Sequence, residues 1–284
     1  MLGLAFGPLI LAPLSEFIGR RWLYLVTSSF IMAFAGGSGA AQNFATLLIC
    51  RFLCGFLGSS AIAVGAGTLA DIWGLAKAGG LARLLFIICP FLGPTMGPLA
   101  GSYIMHDHGG DWRWTQWIIA IIDAPFWLAT LFMRETSGSK IHHSRESSKW
   151  FSLRGLAVFS ILKAAVFRSL TMLLTEAIAF SITLYTGYAY AMVFSFFASA
   201  TYVYSLAYGF NSRQIGLSFI SVTIGYVLAS MMHFMFEKTL YARAAHRSPS
   251  GHPPPEHRLY TAMAGSIFLP IGLFWLVNFS FVTH

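Results

Sequence analysis

The feature that most restricts this chain is a succession of apolar stretches, each about 20 residues long and nearly free of charge. A stretch of that length spans the hydrocarbon of a bilayer only as a helix, because a helix satisfies every backbone N–H and C=O within one segment. Eight such spans are expected: about 1–15, 22–41, 44–70, 82–105 and 114–133, a sixth starting near 170, then 214–236 and 259–282. Composition agrees, with 56% hydrophobic and only 10% charged residues, where a soluble domain carries about 25% charged. The expected fold class is therefore an all-α membrane protein, a helical bundle embedded in the lipid bilayer.

A net charge of +8 would also suit a nucleic-acid binder, but its distribution excludes that partner. Lys and Arg gather in alternate loops. Arg20, Arg21, Lys77, Arg83, seven residues between 134 and 168 and four between 237 and 258 fall on one side. Only Arg113 and Arg213 fall on the other, and Arg51 lies within the membrane. Cytoplasmic loops collect such cations, so the first set is expected inside. This also settles the run from Ser169 to Phe210, whose one charge is Glu176. As a helix it would extend roughly 60 Å, enough for two spans. Its flanking loops are both basic, so an even number of spans must separate them; one long tilted helix plus 214–236 satisfies this. The expected organisation is an N-terminal five-span bundle at 1–133 and a cytoplasmic linker at 134–168 with a short amphipathic helix near 150–163. A three-span, partial C-terminal bundle follows at 169–284. The polar loop 241–258 has polyproline character at Pro253–Pro255.

Other classes find no support. Cys50, Cys54 and Cys89 lie inside apolar runs, as buried small residues do, and not as a disulfide framework or zinc site. His142, His143, His246, His252 and His257 are irregularly spaced in polar loops, as solvated histidines are. There is no nucleophile–base pattern, phosphate loop or metal cluster of an enzyme, and no filter motif of a channel. No cofactor and no metal are expected. The first apolar run has no basic residues before it, unlike a signal peptide, which places the first terminus outside.

Several stretches carry more than hydropathy. The first turn reads Gly7-Pro8-x4-Pro13-x-Ser15-Glu16-x-x-Gly19-Arg20-Arg21; Glu16 and the arginines can bridge to charges on neighbouring loops or helix ends. Arg51 sits inside the third span, where an arginine is costly and functional by default, although a long side chain can also snorkel to the interface. Gly55 and Gly58 share its helix face. In the fourth span Gly93, Gly97 and Gly101 recur every four residues, a smooth face for close helix packing, with Pro94 and Pro98 on an adjacent stripe. Asp123 in the fifth span and Glu176 near the inner end of the sixth are candidates for protonation or for binding a cationic substrate. For Glu176 an interfacial carboxylate is an equal alternative. Tyr185, Tyr188, Tyr190, Phe194, Phe196, Phe197, Tyr202 and Tyr204 make one densely aromatic helix, suited to lipid contact, packing or the wall of an apolar cavity.

These residues resemble the signatures of fungal drug:proton antiporters of the major facilitator superfamily, the multidrug and polyamine group. The first turn is similar to the loop between family helices 2 and 3, which latches the cytoplasmic side. Arg51 and Gly55 resemble the family's Arg-x3-Gly motif, in which the arginine is thought to couple protons. The doubled Gly-Pro at Gly93–Gly101 resembles the antiporter motif of helix 5. Asp111-Trp112-Arg113-Trp114-Thr115-Gln116-Trp117 and Pro255-Glu256-His257-Arg258-Leu259 match further wording of the group. The resemblance implies a major-facilitator-like fold and proton-coupled efflux of small organic molecules, drugs or secondary metabolites, across the plasma membrane. Arg51, Asp123 and Glu176 would serve proton coupling; Gly7, Pro8, Glu16, Gly19, Arg20 and Arg21 the cytoplasmic gate; and Gly93, Pro94, Gly97, Pro98 and Gly101 the antiporter motif. The implied partners are a small-molecule substrate, protons and lipid.

The pattern also departs from the family. Pro-Glu-Thr after family helix 6 is Arg134-Glu135-Thr136 here, Glu-Pro-Ile in helix 7 is Glu176-Ala177-Ile178, and Glu-Ala-Phe-Pro is Ala198-Ser199-Ala200-Thr201. The charged run between helices 4 and 5 is the bland Gly74–Gly80. The eight spans align with family helices 2 to 9, so the expectation is an incomplete twelve-helix fold. The alternative to an exporter is a truncated, non-transporting remnant or fragment of one.

Overall fold

The computed structural model describes residues 1–73, 80–136, 154–206, 208–241 and 260–282. Every regular element among them is helical. In chain order they are α1 (Leu2–Ile18), α2 (Arg20–Gly39), α3 (Phe44–Trp73), α4 (Gly80–Asp107), α5 (Arg113–Phe132), α6 (Arg154–Thr175), α7 (Ala177–Leu206), α8 (Ser212–Phe236) and α9 (Tyr260–Val282). One π-helical turn, Glu237–Tyr241, continues α8. Among the described residues five helical stretches are long and apolar enough to cross a membrane: Phe44–Ile72, Leu85–Asp107, Arg113–Phe132, Ala177–Leu206 and Ser212–Leu240. Leu2–Glu16 and Ala262–Gly272 are shorter apolar helices. α2 also covers an expected span, but two arginines, three hydroxyl residues in mid-helix and a glycine-rich end dilute its apolarity.

Two elements depart from expectation. The helix expected near 150–163 begins at Arg154 and runs on to Thr175, past the 168/169 boundary. Residues 164–175 contain no Gly or Pro to stop it. The long run from Ser169 is interrupted at Glu176, where α6 ends and α7 begins. The interruption is one residue wide. Glu176 N–H still donates to Met172 O (3.0 Å), and Phe180 N–H to Glu176 O (2.9 Å). Lys77, Lys140, Arg145, Lys149, the polyproline loop and the Pro255–Leu259 motif lie outside the described residues.

Contacts divide the chain into two units, Met1–Ala78 with Gly93–Ile220, and Gly79–Leu92 with Ser221–His284. The first is built on α1, α2, α3 and α5. Leu11, Leu23 and Val64 form its apolar centre, with Leu14, Tyr24 and Phe56 packed around them. Many of the other buried positions are polar, Ser15, Thr27, Ser38, Ser59, Ser60 and Gln116, beside apolar ones such as Leu25, Ala35 and Phe219. Large apolar side chains such as Phe30, Ile49, Ile121, Phe126 and Leu184 point outward. This is what lipid demands. With no hydrophobic drive between helices, close packing of small residues and interhelical hydrogen bonds hold the bundle together.

α2 is the hub of that bonding. Toward α3, Ser60 Oγ donates to Thr27 Oγ1 (3.1 Å) and the Tyr24 and Thr68 hydroxyls share a bond of 3.0 Å. Toward α5, Ser38 Oγ donates to Gln116 Oε1 (3.1 Å), Ser28 Oγ to Asp123 Oδ2 (3.1 Å), and Trp127 Nε1 to Ser29 Oγ (2.6 Å). α1 meets α3 through glycine: a Cβ at Gly3 would lie 2.7 Å from Phe56 N, and one at Gly7 would lie 2.5 Å from Phe56 O. In the second unit the Phe91 and Tyr226 rings meet tilted at 35°, with centres 5.4 Å apart.

Candidate functional site

The first cluster gathers at the end expected to face the cytoplasm. α1 and α2 are joined by one residue, Gly19, with φ 95° and ψ 152°. That conformation is open essentially to glycine alone. The joint aims both polar groups of Arg20 at acids. Its side-chain Nη2 lies 2.8 Å from Asp71 Oδ2 at the end of α3, and its backbone N–H donates to Glu135 Oε1 beyond α5 at 2.9 Å. The same Glu135 oxygen accepts from Thr136 N–H at 3.2 Å. Gly67 clears the space for the guanidinium, since a Cβ there would stand 2.9 Å from Nη2. Arg21 Nη2 donates to Leu131 O at 2.9 Å. Arg20 therefore ties α2 to α3 and to the chain after α5, while Glu16 sits exposed on the last turn of α1.

Asp71 and Glu135 escape the sequence reading. Glu135 stands in the departed Arg-Glu-Thr wording, and Asp71 is one acid at the end of a 30-residue helix. The available signal was that an arginine pair in a tight turn needs nearby carboxylates, and these are the two on neighbouring inner ends.

The second cluster is within the membrane. Asp123, half-buried on α5, accepts the bond from Ser28. The Cys54 thiol on α3 lies within electrostatic reach of both Asp123 and Arg51. Arg51 is exposed, and no ion pair joins Arg51, Asp123 or Glu176 among the described residues. Glu176 sits apart at the α6–α7 break, exposed. Of the glycines near Arg51, Gly55 approaches Leu4 N (3.7 Å from its would-be Cβ), whereas Gly58 has nothing within 4 Å among the described residues.

The glycine face of α4 differs from the close-packing expectation. Among the described residues Cβ atoms at Gly93 and Gly97 would meet nothing within 4 Å, and one at Gly101 would meet Thr115 Cγ2 at 4.0 Å. The tight approach lies on the neighbouring stripe, where Gly216 of α8 sits against Ser102 and Leu99. At the same, expected outer end Arg213 Nη2 pairs with Asp107 Oδ1 at 2.9 Å, and a cleft of about 710 Å³ opens beside it. Arg113, the other outer arginine, has its backbone N–H on Asp111 Oδ1 at 3.0 Å. Among the described residues no group of three or more His, Cys, Asp or Glu side chains is arranged to hold a metal ion.

Comparison with known proteins places this architecture. The chain is 35% identical over 298 residues to the efflux pump FUB11 of Gibberella fujikuroi, covering all of this chain and 51% of that protein. It is 36% identical to the efflux pump FUBT of Fusarium oxysporum, over 97% of this chain and 48% of that one. It is 35% identical to an ascochitine biosynthesis cluster MFS transporter of Didymella fabae, over 97% and 55% respectively. The chain thus spans about half the length of the curated relatives it matches. The profile of the family described as Major Facilitator Superfamily matches residues 1–283. With a helical, lipid-facing architecture and a match over almost its whole length, this chain belongs to the Major Facilitator Superfamily.

Proposed function

We propose that the chain acts in proton-coupled efflux, as an antiporter exporting small organic molecules such as drugs or secondary metabolites across the plasma membrane. The observation that carries this reading is Asp123, a carboxylate held inside the membrane by Ser28, in a chain whose relatives are named efflux pumps. Intramembrane acids are expensive and mark proton or substrate paths. When ionised, Asp123 accepts from the Ser28 hydroxyl and can balance a cationic substrate or the Arg51 charge. When protonated it becomes a donor and gives up that charge. Arg51 and Glu176 complete the coupling set, and all three are proposed to change protonation or pairing during the cycle.

The Gly7, Pro8, Glu16, Gly19, Arg20 and Arg21 turn serves as the inner gate. Its working contact is Arg20 with Asp71, made over the stiff Gly19 joint. The Gly93–Gly101 helix, with its prolines, supplies a face that another helix can close upon during the cycle. Export of a fluorescent substrate from a host lacking its own efflux pumps tests the reading. Arg51→Ala and Asp123→Asn should each abolish the part of export that depends on the proton gradient. Unchanged proton-linked export in both variants would remove these residues from the coupling set.

A further inference from the structure

α6 has no role in the reading above. Its sequence holds three cations, Arg154, Lys163 and Arg168, and no acid. From Lys163 to Thr175 only Ala165, Val166 and Leu173 are partly covered; every other residue is exposed. The helices it touches are α1 and α7. Large apolar side chains stand uncovered, Phe167 at 71% and Leu174 at 79% exposure, with Leu170 and Met172 also exposed. Lys163, Phe167, Leu170 and Leu174 follow at steps of four, three and four residues, so they form one stripe along the helix. Arg168 flanks that stripe. The hydroxyls on this surface are already satisfied: Ser169, Thr171 and Thr175 donate to the carbonyls four residues earlier at 3.0, 2.7 and 2.8 Å. The helix that follows, α7, has 30 residues and is about 45 Å long, against a hydrocarbon core of about 30 Å. α7 can therefore cross the core unaided, which leaves α6 on the side where Lys and Arg gather. Standing straight on α7, α6 would hold Phe167, Leu170 and Leu174 in water. The break at Glu176 is the place where it can turn aside.

We infer that α6 lies along the inner face of the bilayer, with Phe167, Leu170 and Leu174 at the acyl boundary and Lys163 and Arg168 on the headgroups of anionic phospholipids. Buried apolar area holds such a helix to the surface, and its positive charge selects anionic lipid. Charge complementarity supports this partner. Among the described residues no ion pair engages Lys163 or Arg168, and no carboxylate within α6 competes for them. Their long stems can lie beside the apolar stripe while the charged ends reach the headgroups. The hydroxyls bonded back to their own helix fit the same surroundings, because lipid offers them no partner. Bound there, α6 fixes the inner end of α7 to the membrane surface. The contact needs only a membrane and stands apart from transport.

The test uses the full chain with Cys50, Cys54 and Cys89 replaced by Ser and a bimane label on Leu170→Cys, in vesicles of mixed phosphatidylcholine and phosphatidylserine. A nitroxide is carried by one lipid or the other, and quenching of the label is read against nitroxide content. Both lipids should quench. The serine lipid should reach the same quenching at a lower content, roughly fivefold lower for each cation engaged. Salt at about 1 M, where the Debye length is about 3 Å, should remove most of that preference and leave quenching by the choline lipid. Lys163→Gln combined with Arg168→Gln should do the same at low salt. The salt arm keeps both cations, so it decides the matter even where the double variant fails to insert. Absence of quenching by either lipid overturns the placement of α6 at the bilayer. Equal quenching by both lipids, or a preference that survives either salt or the double variant, overturns the headgroup contact.

Discussion

Removing the Asp71 carboxylate is the sharpest test of the inner cluster. The Arg20 side chain is only 11% exposed, and Asp71 provides its 2.8 Å ion pair. Nε and Nη1 of Arg20 are buried without hydrogen-bond partners among the described residues, so the charge depends heavily on Nη2. Breaking a well-buried pair costs about 3–5 kcal/mol. Asp71 keeps 34% of its side chain in solvent, which lowers the expected loss for Asp71→Asn to about 2 kcal/mol, the scale of a charge-assisted hydrogen bond. The assay is a double-mutant cycle with Arg20→Gln, read by reversible unfolding in detergent micelles. The coupling between the two sites should be about 1–2 kcal/mol. Gly67→Ala, whose new Cβ would stand 2.9 Å from Nη2, should cost about 1 kcal/mol by overpacking, and most of that penalty should vanish in the Asp71→Asn background. A coupling below about 0.3 kcal/mol, within ordinary additivity, would refute the reasoning: Arg20 would then be held by its backbone bond to Glu135 and not by its charge.

Four further outcomes follow from the same packing. Gly7→Ala should destabilise by about 1–3 kcal/mol because its Cβ falls on Phe56 O and the Ser59 side chain. Gly58→Ala, with nothing within 4 Å, should stabilise by up to about 1 kcal/mol through helix propensity; parallel melts of the two variants check both signs. Gly19→Ala should cost about 1–3 kcal/mol, the strain of φ 95° on a residue with a Cβ, visible in the same melts. Trp127→Phe removes the 2.6 Å bond to Ser29 and should cost about 0.6–2 kcal/mol, while Trp127→Phe added to Ser29→Ala should cost little more than Ser29→Ala alone.

The helical class was readable because hydropathy is a property of single segments. What joins segments was not. Arg20 announces that it needs a carboxylate, but Asp71 and Glu135 lie 51 and 115 residues away, and only the packing of α2 against α3 and α5 selects them. Glycine spacing misled in a similar way. The regular Gly93–Gly97–Gly101 repeat meets almost nothing among the described residues, while the tight approaches fall at Gly216, which stands in no repeat, and at Gly3 and Gly7, a single pair at the same four-residue spacing. A glycine stripe says that a neighbour is permitted; which neighbour arrives depends on the other helices. Arg213 was visible as an outer cation, but its partner Asp107 lies 106 residues away and is selected by packing alone. The break at Glu176 also lay beyond hydropathy, because the backbone bonds on both sides of it are those of a continuous helix.

The central claim is coupling between proton flow and export, and one measurement reaches it directly. The purified chain is reconstituted in vesicles carrying a one-unit pH gradient, a trapped pH dye reports the gradient, and a cationic fluorescent substrate is added. One-for-one exchange would let that gradient sustain about a tenfold substrate gradient, since one pH unit is worth about 1.4 kcal/mol. The account predicts that substrate addition collapses the pH gradient, that substrate accumulates against its own gradient, and that Asp123→Asn does neither. Substrate movement that leaves the pH gradient untouched and is the same with Asn at position 123 would contradict it.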